Sequence, residues 1–289
     1  MPANRLLSAA AIAVGVSPGA HAILIIDNGL DTNVFDSVTS DTVVVADSLG
    51  GAPTRLEVRD GAELGESIFD TSLLTDFNSS AVINGGTLTQ DAFAQGNSSI
   101  TLNDGLIQDD FITIDTSTGT INGGTINGDV ESQGVSTIQI FDGILGEDTQ
   151  AMDGSLLQIF GGEFNQDVEA SESATIEIFG GTFATGGLDN QDVGVSAAGF
   201  AEVIIYGTGF QIDGEDVAFG EIAANSGVLT GTLFNGSSLE TNFTRINQRI
   251  GFGVRVRGTI TLVEQIIPTP GSAALLALAV FTTARRRRN

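Results

Sequence analysis

Residues 136–154 read STIQIFDGILGEDTQAMDG, residues 155–173 read SLLQIFGGEFNQDVEASES, and residues 174–183 open the same phrase again with ATIEIFGGTF. Working outward from them, the glycines fall into line as Gly86, Gly105, Gly124, Gly143, Gly162 and Gly181, each 19 residues after the last. Three residues before each stands Ile83, Leu102, Ile121, Ile140, Ile159 or Ile178, and two residues after stands Leu88, Ile107, Ile126, Leu145, Phe164 or Phe183. All twelve flanking positions are large and apolar in a chain that is 41% hydrophobic, so a repeat sets the architecture.

Within a unit the pattern alternates. Thr175, Glu177 and Phe179 share one face of a short strand and Ile176 and Ile178 the other; a glycine bend follows, and Asp167 to Ala170 of the previous unit reads as a second short strand. One 19-residue coil cannot bury its apolar face alone. Coils stacked about 4.8 Å apart bury a continuous apolar column. The expected fold is therefore all-β, a single-stranded parallel β-solenoid, with right-handed winding by the crossover rule. The glycine column serves a repeated bend that needs positive φ or close backbone approach. A column of Asn84, Asn103 and Asn122 gives way in register to Phe141, Phe160 and Phe179, which reads as stacked amides followed by stacked rings.

The array breaks after Phe183. Inserting eight residues restores it by aligning Ile205-Tyr206-Gly207 with Ile178-Phe179-Gly180, which makes residues 186–199 a protruding loop. Leu56 to Gly61 reads as an earlier coil, separated from the array by a longer loop around residues 71–78. The expected organisation is an N-terminal cap over 23–55, a solenoid over 56–226 and C-terminal cap strands over 227–267. Caps are needed because an open solenoid end would pair with another chain.

The two ends differ from this middle. Residues 1–22 hold no acidic residue, carry Arg5, run apolar from Leu6 to Val16 and finish with Ala20-His21-Ala22. This reads as a signal helix cleaved after the Ala20-x-Ala22 site, with the mature chain beginning near Ile23. The other end reads Pro268-Thr269-Pro270-Gly271, thirteen uncharged and mostly apolar residues, then Arg285, Arg286, Arg287 and Arg288. A helix of that apolar length rises only about 20 Å, too short for a permanent span. It suits transient membrane contact by a sorting segment, with arginine flanks held on the cytoplasmic side. The tail over 268–289 resembles the PEP-CTERM sorting domain of Gram-negative bacteria, with Thr269 where that family's name places glutamate. The resemblance implies an exosortase-like partner and delivery to the bacterial cell envelope, surface or extracellular matrix. The repeat itself resembles the pectin-lyase-like parallel β-helix of large exported bacterial proteins, a likeness specific for architecture and weak for activity.

Charge narrows the chemistry. The chain has 36 acidic residues against 11 basic ones, all arginine, with no cysteine and a single histidine, His21, inside the signal segment. Without both targeting ends, six arginines remain against all 36 acids, a net charge of −30. Nucleic acid and anionic polysaccharide would be repelled. Thiolate and histidine chemistry is excluded from the mature chain. What remains is a column of Asp91, Asp110, Asp129, Asp148 and Asp167, again at 19-residue steps. Stacked one per coil, these carboxylates repel unless a cation or hydrogen-bond donors intervene. Calcium is the natural oxygen-liganded cation outside the cell, and a local turn, each Asp accepting its own backbone N–H two residues on, is the simpler role. A glycosidase would need one asymmetric carboxylate pair such as Asp109 and Asp110, whereas this column repeats five times. The sequence thus points to an exported structural or adhesive protein meeting extracellular glycans or matrix, with a secreted glycoside hydrolase on neutral polysaccharide as the alternative.

Overall fold

A computed structural model of the chain describes residues 23–30, 33–65, 70–185, 194–249 and 255–264. The signal segment, cleavage site and sorting tail expected from the sequence lie outside the described residues. The described residues are all-β, with no helix and hence no helix able to cross a membrane, and most strand pairs are parallel. The arrangement is that of a β-solenoid with three faces.

Successive strands on one face differ by one coil. On the second face Thr118–Ile121, Thr137–Ile140, Leu156–Ile159 and Thr175–Ile178 pair in parallel with Thr118 opposite Thr137, Thr137 opposite Leu156 and Leu156 opposite Thr175, a step of 19 throughout. The first face holds Asp91–Ala94, Phe111–Thr113, Val130–Ser132, Thr149–Ala151 and Val168–Ala170 at the same step. The third face, at the other side of the glycine corner, holds the two-residue strands Thr125–Ile126, Ile144–Leu145, Glu163–Phe164 and Thr182–Phe183. Because Cβ directions alternate along a strand, this register carries every second side chain into the same interior column. All twelve flanking positions of the glycine repeat are buried there.

The eight-residue insertion falls where expected. Thr175 pairs with Glu202 and Ile178 with Ile205, a step of 27 that restores the register. The inserted chain is shorter than the loop expected over 186–199, because Gly194–Ala198 is a strand of the first face that pairs with Val168–Ala170 on one side and Ser238–Arg249 on the other. Valine at 195 and alanine at 197 continue the inward column of Val168 and Ala170, which is why the chain rejoins the stack so early. The expected loop around 71–78 is likewise mostly strand. Thr71–Thr75 lies between Thr42–Val45 and Asp91–Ala94, with Leu73 buried opposite Val43 and Ala92. Residues 23–55 already carry the three faces: Ile23–Ile26 pairs with Thr42–Val45, Asn33–Phe35 with Arg55–Val58 and Val38–Thr39 with Glu63–Leu64, all in parallel.

At the C-terminal end the pairing changes sense. Thr259–Glu264 still lies parallel on Glu202–Ile212, but Gly220–Glu221 covers its outer edge antiparallel. Ser226–Leu233 does the same for Ser238–Arg249.

Interior packing is complementary from coil to coil. Phe111 stands where the neighbouring coils have Ala92 and Val130, and the space comes from Gly119, whose added Cβ would meet the Phe111 ring at 2.6 Å. A second interior device is a column of buried serines, Ser79, Ser98, Ser117, Ser136 and Ser155. The hydroxyls of Ser98, Ser117, Ser136 and Ser155 donate to the carbonyls of Thr75, Ala94, Thr113 and Ser132 in the coil before, at 2.8–3.1 Å. The column ties adjacent coils at a corner where the chain leaves the sheet. Thr149 is the exception among the described residues, since its buried Oγ1 has no hydrogen-bond partner while Val130 and Val168 fill the equivalent place in the coils on either side. Replacing it by the isosteric valine removes an unmet polar group. Thr149→Val is expected to stabilise the fold by about 1 kcal/mol, raising the melting temperature by about 2–4 °C in differential scanning calorimetry.

Candidate functional site

The aspartate column forms as a column, and its carboxylates have partners the sequence did not reveal. Asp91 Oδ1 accepts the backbone N–H of Asp110 at 3.2 Å, Asp110 that of Asp129 at 2.7 Å, Asp129 that of Asp148 at 2.9 Å and Asp148 that of Asp167 at 3.2 Å. Asp167 ends the series by accepting from the N–H of Gly194 at 2.7 Å. Each carboxylate thus caps the same position one coil further on, in place of the expected turn within its own coil. The reason is geometric. At the start of each first-face strand the chain turns into the sheet, and the Asp N–H falls outside the parallel ladder, which begins one residue later with Phe111 N–H to Asp129 O or Val130 N–H to Asp148 O.

These carboxyls are half-buried and stand one above another. Burial away from water, and then repulsion from Asp110, Asp109 and Asp70, pushes the Asp91 carboxyl up to about 7 against the hydrogen bond from Asp110, which acts in the opposite direction. Burial followed by neighbouring carboxylates also raises Asp110 and Asp129. The column itself offers one carboxylate per coil, each already holding an amide, which is poor provision for calcium and its six to eight oxygens. Asp91, Asp109 and Asp110 do bring three carboxylate oxygens within 4.8 Å of one another. Asp129, Asp148 and Asp167 join no such group among the described residues.

The outward columns of the second face are as regular. Asn103 Nδ2 donates to Asn84 Oδ1 at 2.7 Å and Asn122 to Asn103 at 2.8 Å, the amide chain expected. Phe141, Phe160, Phe179 and Tyr206 then stack with centroids 4.9, 5.0 and 4.3 Å apart and planes within 8°. Beside them Gln139 donates to Gln158 and Gln158 to Glu177, and the Tyr206 hydroxyl donates to Glu177. A ring stacked on both faces has only its edge to offer a ligand. Phe160 and Phe179 are in that position, which removes the flat surface a sugar ring would need.

A groove of about 420 Å³ follows the glycine corner next to this ladder. Its floor is Gly124, Gly143, Gly162 and Gly181, all at positive φ. Ile144, Glu163 and Thr182 form one wall, and the tip of the hairpin between Ser226–Leu233 and Ser238–Arg249 closes one end. The tip is fastened: Asn235 Nδ2 donates to Phe160 O at 3.1 Å, Asn235 N–H to Phe179 O at 3.0 Å and Ser237 Oγ to Gly181 O at 3.2 Å. Gly180 makes room for it, since a Cβ there would lie 2.0 Å from Asn235 Nδ2.

One more column escaped the sequence reading. Phe77, Gly96, Asp115, Gly134, Asp153 and Glu172 follow one another at 19-residue steps and all have φ between 58° and 70°. Residue type varies along it, so no single letter marks every step; the backbone conformation does. The Asp115 and Asp153 carboxylates accept the N–H of Gly96 and Gly134 in the coil before, at 3.1 and 3.0 Å. Glu172 lies directly over Asp153, and hydrogen bonding between the two carboxyls, followed by repulsion, raises the Glu172 pKa.

Comparison with known proteins found no matching family model, no matching characterised protein and no matching solved structure.

The raised carboxyls set a pH dependence. The folded chain keeps a proton on Asp91 that the unfolded chain releases near 3.8, so its contribution to stability is complete below that pH and is lost as the pH rises through about 7. Thermal melts should therefore show the melting temperature falling between pH 5 and pH 8. Asp91→Asn keeps an oxygen for the Asp110 N–H without the charge, and is expected to flatten that fall and raise the pH 8 melting temperature by about 2–4 °C. Asp91→Ala removes the acceptor as well and is expected to cost about 1 kcal/mol relative to Asp91→Asn.

Proposed function

We propose that the protein is an exported structural or adhesive element of the bacterial cell surface or extracellular matrix, sorted there by its C-terminal segment and built as a right-handed acidic solenoid. The single observation that carries this reading is the 19-residue register of the central coils, in which the titratable side chains repeat from coil to coil as structural ladders. An enzyme concentrates perturbed groups in one asymmetric site, whereas a scaffold repeats them. From Asp60 to Glu240 there are 29 acidic residues and no basic one, which keeps nucleic acid and anionic polymers off the shaft and keeps neighbouring shafts apart. Neutral glycans of the matrix are the partners the surface tolerates. The groove along the glycine corner offers them Glu163 as acceptor, Thr182 as hydroxyl and Asn235 and Ser237 at its closed end.

The secreted-hydrolase alternative has one observation in its favour, the Asp91, Asp109 and Asp110 group with one carboxyl held near neutrality. Against it, Asp91 and Asp110 are already engaged as ladder acceptors. Incubation with neutral polysaccharides is expected to give no turnover; turnover abolished by Asp110→Asn would establish the enzyme instead.

The export reading is tested by mass spectrometry of the protein from its native cells. The expected species begins near Ile23 and lacks the residues after Pro270. An intact cytoplasmic chain beginning at Met1 would overturn it.

A further inference from the structure

The groove at the glycine corner holds two carboxylates that no cation among the described residues neutralises. Asp142 and Glu163 both line it and both are exposed. Asp142 Oδ1 accepts the N–H of Gly143 at 2.9 Å, and the Glu163 carboxylate has no hydrogen-bond partner among the described residues. The first-face aspartates differ, because their oxygens are taken by backbone N–H groups of the next coil. The salt bridges among the described residues lie elsewhere, at Arg59–Glu57 and Arg245–Glu221. With no basic residue between Asp60 and Glu240, the groove contains no positive side chain of its own.

The wall adds an apolar contact in a fixed place. Thr125, Ile144, Glu163 and Thr182 follow one another at one-coil steps, and Ile144 is 45% exposed directly next to Glu163 in the ladder. A hydroxyl, an apolar side chain, a carboxylate and a second hydroxyl thus succeed one another about 4.8 Å apart. The hairpin tip at the closed end brings no competing charge. Asn235 and Ser237 direct their donors to the carbonyls of Phe160, Phe179 and Gly181 and to each other.

We propose that the groove takes a linear amino-sugar glycan, whose ammonium groups meet Asp142 and Glu163 while a ring rests its C–H face on Ile144. The inference rests on the reading of the groove as a glycan site and names the class of glycan, one that carries positive charge. Charge selects the ammonium group: a cleft lined by one sign focuses the field, and the surrounding acidic shaft raises the local concentration of a polycation. A single exposed pair is weak, so binding depends on several pairs made at once along one chain, which a polymer with a charge on each ring provides. Spacing selects the sugar over a basic peptide. An extended peptide returns to the same side only every ~6.7 Å, out of step with coils about 4.8 Å apart, whereas a pyranose chain advances by close to one coil per ring.

Isothermal titration calorimetry of the full chain at pH 6 tests this, with a hexamer of β-1,4-linked glucosamine, its fully N-acetylated counterpart and an oligolysine of equal charge. The glucosamine hexamer is expected to bind at least tenfold more tightly than the acetylated one, and to weaken between 0.05 M and 0.5 M salt. Asp142→Asn with Glu163→Gln should remove that tenfold advantage. Glu147→Gln with Glu215→Gln, which removes two exposed charges outside the groove, should leave it within twofold of the parent. Circular dichroism checks that both variants fold; Asp142→Asn keeps an oxygen for the Gly143 N–H. Equal binding of the two hexamers would overturn the inference and leave the neutral-glycan reading standing. Oligolysine binding as tightly as glucosamine would overturn it in favour of a basic peptide, and an equal loss in both variants would overturn the groove as the site in favour of a diffuse field. Binding of neither hexamer would overturn the glycan reading of the groove as well.

Discussion

Backbone pairing between one coil and the next is the constraint from which the rest follows. A parallel ladder fixes residue opposite residue, and a slip of one would send each inward side chain to solvent. With the step held at 19, whatever type stands at a position meets its own kind above and below. The sequence must therefore be acceptable as a stack of like with like. Isoleucine, leucine and phenylalanine stack well inside; amides stack because each is both donor and acceptor, and rings stack because planes at 4.3–5.0 Å fill the coil spacing. Where eight more residues enter, they go in between two faces, and Ile205 still lands opposite Ile178.

Carboxylates are the type least suited to such a column, and the chain handles them in two ways. In the first-face column each carboxylate takes the N–H of the next coil, an attraction built from a group that would otherwise lack a partner in the sheet. At the left-handed corner, and again just before the glycine bend, aspartate alternates with glycine: Gly96, Asp115, Gly134, Asp153 in one column and Gly85, Asp104, Gly123, Asp142 in the other. Alternation doubles the separation to about 9.6 Å, close to a Debye length at physiological salt. Where it fails, at Glu172 over Asp153, hydrogen bonding between the carboxyls and then their repulsion raise the Glu172 pKa. A fold with 36 acidic residues is in this way compatible with a register that would align them.

The parts legible in the sequence were those where chemistry repeats with the period. The twelve apolar positions, the glycine bend, the amide-to-ring switch and the eight-residue insertion were all readable because one residue type, or one hydropathy, marks each column. The left-handed column at 77, 96, 115, 134, 153 and 172 was not, because glycine, aspartate, glutamate and even phenylalanine satisfy it in turn. The serine column is hard to read although its letter repeats, since a short polar residue ahead of an apolar strand reads as surface; only stacking shows that a carbonyl one coil below accepts its hydrogen bond. The aspartate column is legible in the string, but its acceptor role is not. A turn two residues on is a local relation visible in a string, whereas an amide 19 residues on exists only after the coils superpose. Thr71–Thr75 and Gly194–Ala198 look like loop in the sequence because the step leading to each departs from 19, while the paired strand asks only for suitable inward residues at the end of the detour.

Repetition also explains why the ends carry what the middle cannot. A coil inside the stack is specified by both neighbours, so its sequence has little freedom; an end coil is specified by one. The C-terminal end uses that freedom to reverse direction, and an antiparallel strand laid on a parallel edge presents a hydrogen-bond pattern that another parallel coil cannot continue. It also carries Arg245, which meets Glu221 without breaking a column. The N-terminal end keeps the parallel sense to its outermost described strands, made short at two to four residues. Short edges limit indiscriminate pairing while leaving backbone groups on all three faces.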